Sequence, residues 1–234
     1  MQDRYAGDIG DYVKLALLRT LSSGRALGVA WYLYPDEGHN GDGRHTRYLQ
    51  QPEKWRALDP ELFDALARVV DAGRSVKAIE ASGLMSATYH GAPLTSGSLP
   101  WQRRSGWRAA WFESLQSAMQ SADIVFADPD NGLVDDDPRR RGKSKFGKQI
   151  PVAEALALAH GRSAVIYHHN TRRAGGHDAE VDHWLQQLGP HTLAVRATSH
   201  SCRTFFVLNP DAEIQERASR FCNQWSKHGV RLHC

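Results

Sequence analysis

The sequence predicts an α/β fold: a Rossmann-like, mostly parallel sheet with helices on both faces and a C-terminal antiparallel hairpin. Three observations predict it. Apolar runs at 28–34, 124–127 and 163–167 show no polar/apolar alternation, as expected of strands covered on both faces. Stretches with apolar residues at helical spacing lie between them, and strands alternating with helices argue a parallel sheet with right-handed crossovers. Two further runs, 191–197 and 203–208, are joined by residues 198–202, a spacing that suits a hairpin and adds an antiparallel edge. With 234 residues, 41% of them hydrophobic, the chain is expected to fill one domain over 1–234, with irregular excursions near 82–104 and 133–150.

Residues 8–23 read as a helix. Ile9, Tyr12, Val13, Ala16, Leu17, Thr20 and Leu21 recur at helical spacing, Asp8 is placed to cap the start and Gly24 to end the run. Lys14 falls beside this stripe, where a solvated lysine is the ordinary expectation. The 28–34 strand runs into Pro35-Asp36-Glu37-Gly38-His39-Asn40-Gly41-Asp42-Gly43, an acidic, glycine-rich loop suited to wrapping a ligand or turning the chain. Asp59, Pro60 and Glu61 start a helix whose buried face is Leu62, Phe63, Leu66, Val69 and Val70. Residues 75–79 are expected to form a short strand. Residues 82–104, rich in Gly, Ser and Pro, are expected to be an irregular excursion carrying Tyr89, His90, Trp101, Arg103 and Arg104. Trp107, Ala110, Trp111, Leu115, Ala118 and Met119 define a helix leading into the central strand. Residues 151–160 and 179–188 read as helices, and 212–227 as the closing helix through Ile214, Phe221 and Trp225.

Composition narrows the classes. The formal charge of +3 and pI near 8.8 permit a nucleic-acid partner without demanding one. No apolar run approaches the roughly 18 residues of a membrane span, and no apolar core region follows the first residues as in a signal peptide. Cys202, Cys222 and Cys234 are too few and scattered for a disulfide framework or zinc ribbon, so a reducing cytoplasm is expected.

The chemistry gathers at strand ends. The run at 124–127 stops at Asp128-Pro129-Asp130-Asn131-Gly132. Pro129 cannot continue a ladder, and Asn131-Gly132 is turn chemistry. In open α/β sheets ligands bind at the carboxyl ends of such strands, although a plain polar cap would use the same residue types. The 163–167 strand ends in His168-His169-Asn170, and alternation sends the two imidazoles to opposite faces, so at most one points into a crevice. After the central turn come three acids and then Arg139, Arg140, Arg141, Lys143, Lys145 and Lys148, either a solvated loop or a phosphate-contacting arm. One reading of these groups is metal-dependent phosphoester hydrolysis. Asp36, Asp128, Asp130, His168 and His169, with Glu37 nearby, would offer ligands for Mg²⁺ or Mn²⁺ while the basic run guides a polyanion. A binding module without catalysis is another reading, because fold alone underdetermines function.

The motifs also carry a resemblance. Tyr5-Ala6-Gly7-Asp8-Ile9-Gly10-Asp11-Tyr12-Val13-Lys14 resembles the N-terminal helix of the ribosomal-RNA adenine-N6 methyltransferases. These open with an aromatic residue, a Gly-Asn or similar pair, then Asp-Val-Leu-Lys-His. The layout ending in a hairpin resembles the wider S-adenosylmethionine-dependent methyltransferase fold. In that family the next strand ends in a glycine-rich cofactor loop, matched here by the stretch from Tyr34 to Gly43. The fourth strand ends in Asp-Pro-Pro-Tyr, matched by Asp128 to Asn131. The chain departs where Asp130-Asn131 replaces Pro-Tyr and where Pro35-Asp36-Glu37 opens the cofactor stretch. It is also similar to a bacterial family sharing the Asp-Arg-Tyr-x-Gly-Asp-Ile-Gly-Asp opening and the Asp-Pro-Asp-Asn-Gly turn, from which no activity carries over. The methyltransferase resemblance implies S-adenosylmethionine as cofactor and an amine, in nucleic acid, as acceptor. It implies cofactor contacts from Tyr34, Asp36, Glu37, Gly41 and Gly43, and a reaction centre at Asp128 in the turn with Asn131, reached by Lys14 from the N-terminal helix; the other candidate catalytic residues, Asp130 and His168, are explained better by the hydrolytic reading. Within it Asp128 would accept hydrogen bonds from the amino group and aim its lone pair at the methyl carbon.

Overall fold

The computed structural model describes residues 1–37, 43–199 and 201–233. In chain order the helices are α1 (Ile9–Leu21), α2 (Pro52–Trp55), α3 (Pro60–Asp71), α4 (Val76–Ala81), α5 (Trp101–Ala118), α6 (Val152–Leu158), α7 (Gly176–Leu188) and α8 (Ala212–Trp225). The strands are β1 (Leu27–Ala30), β2 (Ala87–His90), β3 (Ile124–Ala127), β4 (Gly132–Val134), β5 (Gln149–Pro151), β6 (Ser163–His169), β7 (Thr192–Ala197), β8 (Arg203–Leu208) and β9 (Val230–Leu232). Seven strands form one sheet in the order β2-β1-β3-β6-β8-β7-β9. β2, β1, β3 and β6 run parallel; β8 is antiparallel to β6 and β7, and β9 to β7. The architecture is the mostly parallel, Rossmann-like α/β fold that the strand and helix pattern predicts, with the 203–208 strand inserted between β6 and β7. β4 and β5 pair separately as a small parallel ribbon within the 133–150 excursion.

Two layers of helices follow from the period of two along a strand. Val29, Ile124, Phe126, Val165, Phe205 and Val207 face α1, α3, α4 and α8. Ala30, Val125, Ala127, Ala164, Ile166 and Phe206 face α5, α6 and α7. Asp8 caps α1 by accepting the Asp11 N–H (2.9 Å), and Asp59 caps α3 by accepting the Leu62 N–H (3.1 Å), with Pro60 in the first turn. A Cβ on Gly28 would collide with Met119 Sδ, so glycine lets the end of α5 lie close against β1.

The chain runs from β1 outward to β2, then returns to β3 on the opposite side of β1. The strand order therefore reverses between β1 and β3, the place where open α/β sheets bind ligands. β1 is shorter than the 28–34 run. Trp31 N–H still bonds His90 O at 3.0 Å, but Tyr32 takes a left-handed φ of 31° and turns the backbone out of the sheet.

Three other elements differ from expectation. Residues 75–79 belong to the helix α4, because the Ser75 hydroxyl accepts the Ala78 N–H (3.0 Å) and caps a helical turn. The strand of this region is β2, inside the stretch expected to be irregular. It lies at the sheet edge with His90 its one buried residue, so no apolar run marks it. β9 follows the closing helix after Gly229, whose φ is 76°, and is three residues long. No helix of the described residues is long and apolar enough to cross a membrane.

Candidate functional site

The period that divides the core also aims the polar residues at the strand ends. On β3 the series Ile124, Phe126 continues to Asp128, toward α1. On β6, Val165 continues through Tyr167 to His169, and on β8 the series Val207, Phe205 runs back to Arg203. Asp128, Tyr167, His169 and Arg203 thus meet on one face, beneath the N-terminal turn of α1. Together they line a cleft of about 230 Å³, into which Tyr5, Asn131 and Gly43 also project.

Lys14 stands at the centre. Its Nζ donates to Asp11 Oδ1 at 2.6 Å and Asp128 Oδ2 at 2.7 Å. Asp11 and Lys14 share a face because they are three apart on α1, whereas Asp128 is brought in by the fold. The ammonium also lies 5.8 Å from the Trp31 ring centre and 5.7 Å from that of Tyr167. The ordinary solvated lysine does not occur: Lys14 is 4% exposed. Burial works against its charge, but Asp11 and Asp128 outweigh burial and hold the ammonium above the usual lysine range. Burial pushes the Asp128 and Asp11 carboxyls above the usual range, against the opposing pull of Lys14. Burial also pushes the Tyr167 hydroxyl up to about 12, so it stays a neutral phenol at ordinary pH.

A second ammonium holds the next carboxylate. The Met1 amino nitrogen lies 2.9 Å from Asp130 Oδ1 and donates to Asp128 O (2.8 Å) and Tyr32 O (3.2 Å). The Gln2 amide donates to Asp130 Oδ2, and Lys148 Nζ lies 3.6 Å away. Burial raises the Asp130 carboxyl, but the Met1 ammonium, the Gln2 bond and Lys148 outweigh it and keep it below the usual range.

The structure gathers Lys14, Asp128, Asp130, Asn131, His169 and Gly43 at the cleft. It does not bring His168 there. His168 Nδ1 accepts the Leu133 N–H at 3.0 Å, Nε2 stands 3.2 Å from the Glu180 carboxylate, and the ring packs on Trp184 toward α7. Alternation along β6 is the reason: the histidine on the cleft side is His169. Tyr34, Asp36 and Glu37 do not line the cleft. Asp36 accepts the Arg4 N–H at 3.2 Å, and Glu37 pairs with Lys148, whose Nζ lies 5.0 Å from the Tyr34 ring centre. Gly41 lies outside the described residues. In the basic arm, Arg139, Arg141, Lys143 and Lys145 are exposed and Arg140 is half-buried, while Lys148 turns inward to Glu37 and Asp130.

Of the donor set proposed for a metal, Asp128, Asp130 and His169 line the cleft and Asp36 and His168 do not. Asp128 and Asp130 are each held by an ammonium, Asp36 by a backbone N–H, and His168 by the opposite layer. Among the described residues no group of three or more His, Cys, Asp or Glu is gathered as a metal site requires. The sequence singled out neither Asp11, Tyr167 nor Arg203 as site residues. Spacing on α1 signals the first. Counting by two along 163–169 and 203–208 signals the others. Neither a protein-family model nor a curated protein matches this chain.

Proposed function

We propose that the chain is an S-adenosylmethionine-dependent methyltransferase acting on an amine in nucleic acid. The observation that carries this reading is the 2.7 Å contact between Lys14 and Asp128. The two stretches that carry the resemblance, the Tyr5–Lys14 opening and the Asp128–Asn131 turn, are far apart in the chain and meet in one cleft at the reversal of strand order. S-adenosylmethionine, when bound, supplies an electrophilic methyl group on a sulfonium, and a cation suits a cleft walled by Asp8, Asp11, Asp128 and Asp130.

The chain's own residues have distinct parts. Asp128, fixed by Lys14 and by the adjoining backbone, orients the amino group by accepting its hydrogen bond. Because burial raises its carboxyl, it is also a better acceptor for the departing amine proton than an exposed aspartate. Asn131, at the mouth of the cleft, offers a second carbonyl acceptor. Tyr5 and Tyr167 supply aromatic faces for a base, the role that the turn itself lacks. Nucleic acid as the substrate class draws on the surface beside the turn, where exposed Arg139, Arg141, Lys143 and Lys145 lie with Trp101. Trp101 packs against Gly142 yet remains 68% exposed. Cations interleaved with an exposed aromatic ring suit a single strand. A cytoplasmic location accords with that substrate class.

The test is methyl transfer from labelled S-adenosylmethionine to total RNA and single-stranded DNA, alongside calorimetry with S-adenosylhomocysteine. The full chain should bind S-adenosylhomocysteine and label an exocyclic amine. Asp128→Asn should retain that binding and lose about 10²–10⁴-fold in rate, the usual worth of a positioned proton acceptor. No heat and no thermal shift with either sulfur compound would overturn the reading.

A further inference from the structure

Among the described residues, one charge in the cleft makes no ion pair. Arg203 is 5% exposed and lines the cleft. A guanidinium carries five N–H donors, yet among the described residues this one makes a single hydrogen bond, from Nη2 to the Ser201 hydroxyl, and Nε has no partner. No carboxylate among the described residues pairs with it. Asp8, across Gly10, spends its Oδ1 on the Asp11 N–H and makes no ion pair with Arg203. Removing such a charge from water costs several kcal/mol unless an anion compensates it.

Other donors lie at the same end of the cleft. The N-terminus of α1, a 13-residue helix, opens at the same spot, and its backbone dipole presents positive charge there. Gly10, in that first turn, is the residue on which Arg203 rests: a Cβ there would collide with Nη1. His169 is the cross-strand partner of Arg203 in the β6–β8 register and lines the same cleft. A guanidinium, the backbone of the helix N-terminus and an imidazole therefore meet at one end of the cleft, with Asp8 beside them and Asp11 turned away to Lys14.

We infer that Arg203, the first turn of α1 and His169 form an oxyanion-binding subsite that takes a phosphate or carboxylate of the ligand whose cationic or amine end faces Asp128. In this arrangement the cleft reads a dipolar ligand, with the anion at Arg203 and the amine or sulfonium toward Asp128 and Asp11. The assignment of the two ends rests on the methyl-transfer reading; the subsite itself rests on a buried guanidinium that makes no ion pair among the described residues. The two sources of the oxyanion are the phosphate of a nucleotide substrate and the carboxylate of the methyl donor's amino-acid part.

The experiment is calorimetry and thermal shift on the full chain with inorganic phosphate, adenosine monophosphate and S-adenosylhomocysteine, each paired with 5′-methylthioadenosine or adenosine as an anion-free control. It is repeated in Arg203→Met, Arg203→Lys and Gly10→Ala. At least one oxyanion ligand should bind the parent and weaken by about tenfold or more in Arg203→Met, the fold-change of one charged hydrogen bond. Gly10→Ala, which suits a helix yet displaces Nη1, should weaken the same ligand, and Arg203→Lys should lose less. Loss confined to adenosine monophosphate and phosphate identifies the substrate phosphate; loss confined to S-adenosylhomocysteine identifies the donor carboxylate. Equal affinity in parent and Gly10→Ala, or no oxyanion binding by the parent, overturns the subsite. Arg203-dependent phosphate binding without methyl transfer would instead overturn the function proposed above and leave the subsite standing.

Discussion

A buried lysine between two buried carboxylates is an arrangement in which each member depends on the others. Lys14 is compensated by Asp11 and Asp128, and Gly7 N–H adds a hydrogen bond to Asp11 Oδ2 at 3.0 Å. Replacing Lys14 by Met leaves two carboxylates in an apolar setting, pushed toward protonation. Such a loss is expected to cost about 3–5 kcal/mol, the usual cost of stripping one partner from a buried pair. Urea unfolding of Lys14→Met, Asp128→Asn and the double variant checks this. The double variant should be less destabilised than the sum of the singles by about 1 kcal/mol or more, because the residues touch. Additive losses would mean that the Lys14–Asp128 pair carries no coupling.

At the scale of elements, His168 and Glu180 fasten the ribbon that follows the Asp128 turn. β4 leaves the turn under β6, and a Cβ on Gly132, where φ is 85°, would collide with the His168 ring. Leu133 N–H bonds that ring on one side, and on the other Glu180 accepts from the Thr171 N–H (2.8 Å) and Thr171 hydroxyl (2.6 Å). Burial raises the Glu180 carboxyl, but the bonds from His168 and Thr171 outweigh it and hold it at about 2, against an ordinary 4.5. Native Glu180 therefore stays ionised where the unfolded chain has taken up a proton. Its contribution to stability is present above about pH 4.5 and is lost as pH falls toward 2. Equilibrium unfolding between pH 2 and 6 should show a steeper acid loss in the parent than in Glu180→Gln. Parallel curves would place the acid sensitivity elsewhere.

Across the whole molecule, the cleft and the basic surface are joined through one residue. The Lys148 backbone carbonyl accepts the Asn131 N–H at 2.8 Å, and its ammonium reaches Glu37 and Asp130. The arm that carries Arg139, Arg141, Lys143 and Lys145 is thereby anchored at the Asp128 turn. Arg108 anchors it from beneath by pairing with Glu154 at 2.7 Å and stacking on Phe146. Neutralising Arg141, Lys143 and Lys145 together is expected to weaken single-stranded oligonucleotide binding without sequence preference. The log–log salt slope should flatten by about 0.7 for each phosphate that is no longer neutralised. Trp101→Ala should weaken binding by about 1–3 kcal/mol with the salt slope unchanged, because stacking releases no counterions. Fluorescence anisotropy against salt concentration separates the two, and an unaltered slope in the triple variant would make the run a solvated loop.

The sequence by itself determined the elements whose signals are local. The uninterrupted apolar runs of β3 and β6, the caps Asp8 and Asp59, and the Asp128 turn are all legible, because burial on both faces and capping chemistry write themselves into neighbouring residues. It also placed His168 and His169 on opposite faces, since the period of a strand is a local property. Which face is the cleft side was decided by α1 lying over one side of the sheet, so the choice of His169 over His168 came only with tertiary structure. The same holds for β2, an edge strand without an apolar run, and for α4, where a serine cap prevailed over a short apolar stretch. Above all it holds for Lys14 and Arg203. On its own helix Lys14 is a residue that belongs in water, and Arg203 opens an ordinary strand. Only the packing of α1 over the ends of β3, β6 and β8 buries both charges, gives the first its two carboxylates, and leaves the second facing the cleft.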